Sequence, residues 1–362
     1  MVVWIGMFVF LLVVKYMMGP LETDKQRKAY LIIAGGTLAL LLALRGENYG
    51  DVYDLRVYMA FYEETALKDW SSLFINPQFE VGFVVLNKIL SLFFKSGHTI
   101  VVFHAFFCIY FVCRFIYKNT NEVFWAFLFF YSLGNMGFFL TGLRQAIAIC
   151  ICLYAIEKAQ KKKLISFAVL VVLAYTIHES ALVFAIMYPM LRMEILRRDK
   201  RLMIFPIAFI ILFSAQIIDF GQTLSSDVQA EETATLTFNG IVPILIYALT
   251  IIGQMLFVQN RKESSEDASG LTRKDTYVGF SMTATGLGLY FLRFYEMVLE
   301  RISFYYLQGA PIALADVVGS LKRSRSGRII EIVIVILCLV LFYRRLGDAD
   351  YANYIFFWEA TA

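Results

Sequence analysis

Apolar runs of roughly 17–25 residues recur along this chain, from Met1–Met18 to Ile329–Tyr343, and a helix of that length crosses a hydrocarbon core. Inside lipid the backbone must satisfy its own hydrogen bonds, which makes each run a helix. Of the 362 residues, 59% are hydrophobic and 17% charged, so no stretch is polar and long enough for a separate soluble domain. The expectation is an all-α polytopic membrane protein with about 12 transmembrane helices. One re-entrant segment and amphipathic helices on the outer surface are expected as well. Residues 1–362 then form a single integral membrane domain, with an outer-face loop at 45–78 and a charged cytoplasmic loop at 261–274.

Lysine and arginine in short loops set orientation. The clusters Lys158–Lys163, Arg192–Arg201 and Lys322–Arg328 read as cytoplasmic. Residues 219–237 carry acids without Lys or Arg, and read as external. Residues 45–78 mix acids with Tyr, Phe and Trp, a pattern of helices lying on the outer surface. With 45–78 outside and the lysine turn inside, an even number of crossings must lie between Gln78 and Arg144. Val81–Phe94, Thr99–Tyr117 and Val123–Leu140 are the candidate runs. Val81–Phe94 is the shortest and holds Asn87 and Lys88, so it reads as re-entrant or interfacial.

A net charge of +4 placed in such loops leaves no basic, aromatic surface for nucleic acid. All five cysteines fall inside apolar runs, which excludes a disulfide framework and points to small apolar filler. No Walker loop, dinucleotide fingerprint or metal-ligand spacing appears. No cofactor and no metal are expected.

The central hairpin carries the chemistry. Apolar runs 146–156 and 164–177 flank the lysine turn, with Arg144 and Gln145 before the first run and His178 after the second. A hairpin returns both ends to one face. An ionisable residue at the edge of a span is a functional-site hypothesis by default. The Arg144 guanidinium and the neighbouring helix start both suit a pyrophosphate. His178 can accept a proton or donate a hydrogen bond near neutral pH. His98 and His104 lie in or near an ordinary apolar run and read as structural. Arg301 begins a late span and is a second candidate for the phosphates, able instead to pair locally with Glu296 or Glu300. Asp51 is a rival general base, and Tyr53 offers a ring for stacking on a sugar.

Several of these segments are similar to EpsG-type, Wzy-like polysaccharide polymerases. Leu44-Arg45 with Tyr49-Gly50-Asp51-Val52-Tyr53, then Phe79-Glu80-Val81-Gly82-Phe83, resemble the family's front signature. Gly142-Leu143-Arg144-Gln145-Ala146-Ile147-Ala148 and His178-Glu179-Ser180-Ala181-Leu182 resemble its central one. Arg301-Ile302-Ser303-Phe304-Tyr305-Tyr306 resembles its late arginine–aromatic segment. The front run is looser than the family pattern, and Val81 stands where proline is common. The resemblance implies a membrane glycosyltransferase that joins oligosaccharide repeat units carried on undecaprenyl pyrophosphate. The work is done at the outer face of the bacterial inner membrane, for capsule, O-antigen or exopolysaccharide. His178 and Asp51 are then the catalytic candidates, and Arg144, Gln145, Arg301 and Arg45 the pyrophosphate-binding ones. Glu80 and Tyr53 become glycan-binding candidates. Lipid-linked oligosaccharide is implied as donor and acceptor, with membrane lipid and a chain-length regulator protein as partners. The competing class is a flippase for the same lipid-linked oligosaccharide. A flippase should line a cavity with charges at several depths and show repeat symmetry. The charges here gather toward one face, and no repeat is evident.

Overall fold

The lysine turn closes as its sequence requires. Lys161-Lys162-Lys163 lie between helix α8 (Leu143–Gln160) and α9 (Leu164–Ile177), and Lys162 adopts φ 60° to reverse the chain. The two helices pack against each other along their length. These features belong to a computed structural model that describes residues 1–46, 53–75, 77–213, 216, 238–258, 274–294, 299–321, 327–347 and 354–359. Among the described residues the elements are helices, with one isolated β-bridge between Arg45 and Phe356.

The chain before the hairpin forms α1 (Val2–Met18), α2 (Asp24–Ala43), α3 (Tyr53–Leu67), α4 (Val81–Ser91), α5 (His98–Asn119), α6 (Val123–Ser132) and α7 (Phe138–Thr141). Thr23 and Gln26 start α2 with a capping box. Among the described residues, His98–Asn119 and Gly240–Phe257 are long and apolar enough to cross a membrane. Val2–Met18, Val123–Ser132, Leu164–Ile177 and Ala310–Leu321 are shorter apolar helices.

Contacts cluster into two compact units. The first comprises Met1–Lys118, Phe127–Leu182 and Ile329–Ala362. Here α2 and α5 lie side by side in opposite directions: Tyr117 donates to Asp24 Oδ2 (2.7 Å) at one end, and His98 Nε2 meets the Ala43 carbonyl (2.7 Å) at the other. Arg114, near the end of α5, makes a two-point pair with Glu157 beside the lysine turn (2.6 and 2.9 Å). The chain returns through α6 and α7, where the Leu140 carbonyl accepts from Arg45 Nη1 (2.7 Å). The end of α7 therefore lies near the start of α5, since Ala43, two residues before Arg45, meets His98. Helix α4 is short. Its 11 residues rise about 16 Å, half a hydrocarbon core. It packs on α3 and α9. Lys88, expected as an oddity in an apolar run, donates to the Thr65 (3.3 Å) and Lys68 carbonyls at the end of α3. A cation is favourable at the carbonyl end of a helix.

Some expected spans are divided. Val123–Leu140 breaks between α6 and α7, where Gly134 takes φ +106°. Ile302–Val318 breaks between Leu307 and Ala310. Pro311 has no N–H to carry the helix across that point. After α9 the chain is a 3-10 helix, Glu179–Ile186, followed by Met187–Arg192, rather than one α-helix over Ser180–Met190. His178 is extended (φ −155°, ψ 118°), and the Ser180 N–H turns to its ring. A side-chain acceptor competes with the helical ladder there.

The second unit comprises Asn119–Ala126 and Val183–Arg328. Its centre is Tyr277–Tyr290, a helix buried at every residue. Charged groups inside this unit are engaged. Arg197 Nη1 donates to both Asp275 oxygens (2.8 and 2.9 Å), and Lys200 donates to the Gln254 and Val258 carbonyls (3.3 and 3.1 Å). The expected loops at 219–237 and 261–273 lie outside the described residues.

Candidate functional site

At the end of the hairpin opposite the lysines, Arg144 stands in the first turn of α8. A cation is unfavourable there, since that helix end carries partial positive charge. Glu80, the residue before α4, compensates by pairing with Arg144 Nη1. The guanidinium lies over the Phe79 ring, 4.3 Å from its centre, and Nε reaches the Tyr58 hydroxyl at 3.5 Å. The Arg144 and Glu80 side chains keep 21% and 22% of their surface exposed, so the pair is open to a ligand. Burial raises the Tyr58 phenol above its ordinary range, more than Arg144 lowers it. That hydroxyl is therefore neutral at physiological pH.

Glu80 also reaches the other strand of the hairpin. Its Oε1 accepts from the Glu179 N–H at 3.4 Å. The approach depends on Gly82. A methyl group at Gly82 would stand 2.6 Å from the Thr176 carbonyl oxygen in the last turn of α9. The glycine in Phe79-Glu80-Val81-Gly82-Phe83 thus lets α4 seat against α9 and places Glu80 between Arg144 and the His178 segment. Phe61, Phe79 and Phe83 pack edge-on and stacked beneath it (4.7–6.1 Å between centres).

His178 is half-buried, and its Nδ1 receives the Ser180 N–H (3.4 Å) and lies 2.9 Å from Ser180 Oγ. A backbone N–H can only donate, so Nδ1 is the acceptor. The neutral ring then holds its proton on Nε2. The local geometry favours His178 as a hydrogen-bond donor over its alternative role as proton acceptor.

Other sequence candidates fall elsewhere. Arg45 is 1% exposed and donates to the Leu140 carbonyl inside the unit. The Gly46 N–H and Leu44 carbonyl nearby bond to Ile355 and Phe357 of the C-terminal segment (2.9 Å each). Gln145 is likewise buried in α8. His98 is structural, stacked on Phe357 at 4.6 Å. Arg301 is exposed and belongs to the second unit, where Glu300 pairs with Arg293 (2.9 Å). Tyr53 begins α3, and Asp51 lies outside the described residues. Among the described residues no group of three or more His, Cys, Asp or Glu converges as metal ligands would. Sequence reasoning gave Glu80 to the glycan and left Phe79 unassigned. Their adjacency, just before a short apolar helix, was the available signal.

Among the described residues, two apolar helices are long enough to cross a membrane, and an arginine–carboxylate pair lies at the hairpin end that carries His178. The EpsG family matches residues 28–357, and the chain belongs to that family. It is a membrane protein related to the polysaccharide polymerases of exopolysaccharide biosynthesis. Searches of curated proteins and of solved structures found no match.

Proposed function

We propose that this protein joins oligosaccharide repeat units carried on undecaprenyl pyrophosphate, with the reaction centred on the open end of the α8–α9 hairpin. The observation that carries the reading is the exchangeable Arg144–Glu80 pair beside His178 in a chain of the EpsG family. An acceptor hydroxyl attacks the anomeric carbon of the donor sugar. The bond from that carbon to the diphosphate oxygen breaks, and undecaprenyl pyrophosphate leaves.

The leaving group gains negative charge as the bond breaks, and donors aimed there lower the barrier. Arg144 is such a donor. In the resting site Glu80 occupies it, and an arriving diphosphate displaces that carboxylate. His178 adds a second donor through Nε2–H. The acceptor proton goes to a carboxylate, either Asp51 or the displaced Glu80. Phe79 and Tyr58 hold the guanidinium flat, which preserves its fork for a phosphate. Tyr53 is proposed as a sugar-stacking ring. The reading places the site on the outer face of the bacterial inner membrane.

The test is direct. Purified protein in lipid would be incubated with lipid-linked repeat units, and the products sized on a gel. A ladder of lengthened glycans supports the proposal. Unchanged length, with repeat units moved across the bilayer, would assign the chain to the flippase class.

A further inference from the structure

Away from that site, α2 and α5 leave a groove of about 520 Å³ between them, within the range of clefts that hold small ligands (about 300–1,000 Å³). Its walls are apolar and partly exposed: Ile32 on one side, Phe106 and Tyr110 on the other. Gly36 forms part of the floor, and a methyl group added there would meet nothing within 4 Å. The trough is open at Gly36, while Gly35 beside it packs closely on Cys113 and Ile109 of α5.

One end of the groove is cationic. Lys28 and Lys118 are exposed and stand over the same ring, Tyr117, with their ammonium groups 5.2 and 5.9 Å from its centre. The carboxylate beside them, Asp24, is already engaged by Arg27 and by the Tyr117 hydroxyl. Glu157 nearby is held at two points by Arg114. Among the described residues, the ion pairs of Asp24 and Glu157 are with Arg27 and Arg114 rather than with these two ammonium groups beside Tyr117. From Lys28 to Ala39 the groove runs eleven residues of α2, about 16 Å, which is the depth of one leaflet.

We infer that this groove holds one acyl chain of an anionic glycerophospholipid, with its phosphate between Lys28 and Lys118. The chain lies over Gly36 between Ile32 and Phe106, and the headgroup sits at the level of the lysine turn. Lysines near a membrane surface favour an anionic lipid over a zwitterionic one. The length match and the charge at only one end select a lipid of a single leaflet over a peptide or a sugar.

Native mass spectrometry of the full chain in detergent tests this. Phosphatidylglycerol, phosphatidylcholine and undecaprenyl phosphate would be added separately and in competition. The wild type is expected to retain phosphatidylglycerol over phosphatidylcholine by roughly tenfold or more. Lys28→Glu with Lys118→Glu should abolish that preference. Gly36→Leu, which fills the trough, should lower retention of both phospholipids. The lysines are exposed, so their variant remains informative if Gly36→Leu lowers the thermal midpoint. Equal retention by the wild type and the lysine variant would overturn the inference. Preferential retention of undecaprenyl phosphate would also overturn it, by giving the groove to the carrier lipid.

Discussion

The first unit contains two arginine–carboxylate pairs at opposite ends of one hairpin, and they are built differently. At the lysine turn, Arg114 gives two nitrogens to the two oxygens of Glu157 (2.6 and 2.9 Å). This closed fork ties the end of α5 to the end of α8. At the open end, Arg144 meets Glu80 through Nη1 alone, turns Nε to Tyr58 and lies flat on Phe79. The first pair is complete as it stands. The second uses one guanidinium nitrogen, next to a histidine whose Nδ1 meets Ser180. On the proposed function, the contrast is between an ion pair that fastens helices and one that a diphosphate displaces.

The comparison predicts unequal responses to the same conservative change. Arg144→Lys keeps the charge but loses the fork, and polymer formation should fall on the order of a hundredfold or more. Arg114→Lys should keep polymer formation near wild type and lower the thermal midpoint by a few degrees, as loss of about 1 kcal/mol would. Rates from the gel assay and melting of the purified protein check both. Similar activity losses in the two variants would erase the distinction.

His178→Ala should slow polymerisation roughly a hundredfold, the usual scale for loss of one donor aimed at the developing charge. Ser180→Ala should have a smaller effect, roughly tenfold, and should shift the pH profile, because it removes the hydroxyl beside Nδ1 and leaves only the longer backbone N–H contact to hold the ring. A Ser180→Ala profile superimposable on wild type would remove Ser180 as a positioning residue.

Gly82→Val tests the seating of α4. Its side chain meets the Thr176 backbone, so Glu80 is pushed from the hairpin end while the protein still inserts. Activity should fall roughly tenfold, with little change at the Arg114–Glu157 pair. Cross-linking between cysteines introduced at Val81 and Tyr175 would report whether the two helices had separated.

Much of this was legible in the sequence. The lysine turn and the apolar runs on either side fixed a hairpin, and a hairpin necessarily returns Arg144 and His178 to one end. The short run with Asn87 and Lys88 forms an 11-residue helix whose lysine meets the carbonyl end of α3. The tertiary partners were not legible. Arg45 was read as a pyrophosphate-binding candidate, and nothing local shows its burial against Leu140, which joins residues far apart in sequence. Glu80 looked free because nothing local shows that Gly82 lets it reach Arg144. The breaks near Gly134 and Pro311 had local signals, whereas the 3-10 turn after His178 depended on a side-chain bond from its own ring.

A smaller effect concerns Glu80 itself. Glu80→Gln keeps the shape but removes the charge that competes with phosphate, so undecaprenyl pyrophosphate should inhibit this variant several-fold more strongly than wild type. Unchanged or weaker inhibition would mean that Glu80 does not compete for Arg144.

The central claim, that the open end of the hairpin holds the diphosphate, is tested most directly by binding without turnover. Undecaprenyl pyrophosphate would be titrated into detergent-solubilised wild type, Arg144→Lys and Arg114→Lys. The account predicts that Arg144→Lys binds at least roughly tenfold more weakly, through loss of a charge-assisted fork, while Arg114→Lys binds like wild type. Equal affinity in all three proteins would contradict it.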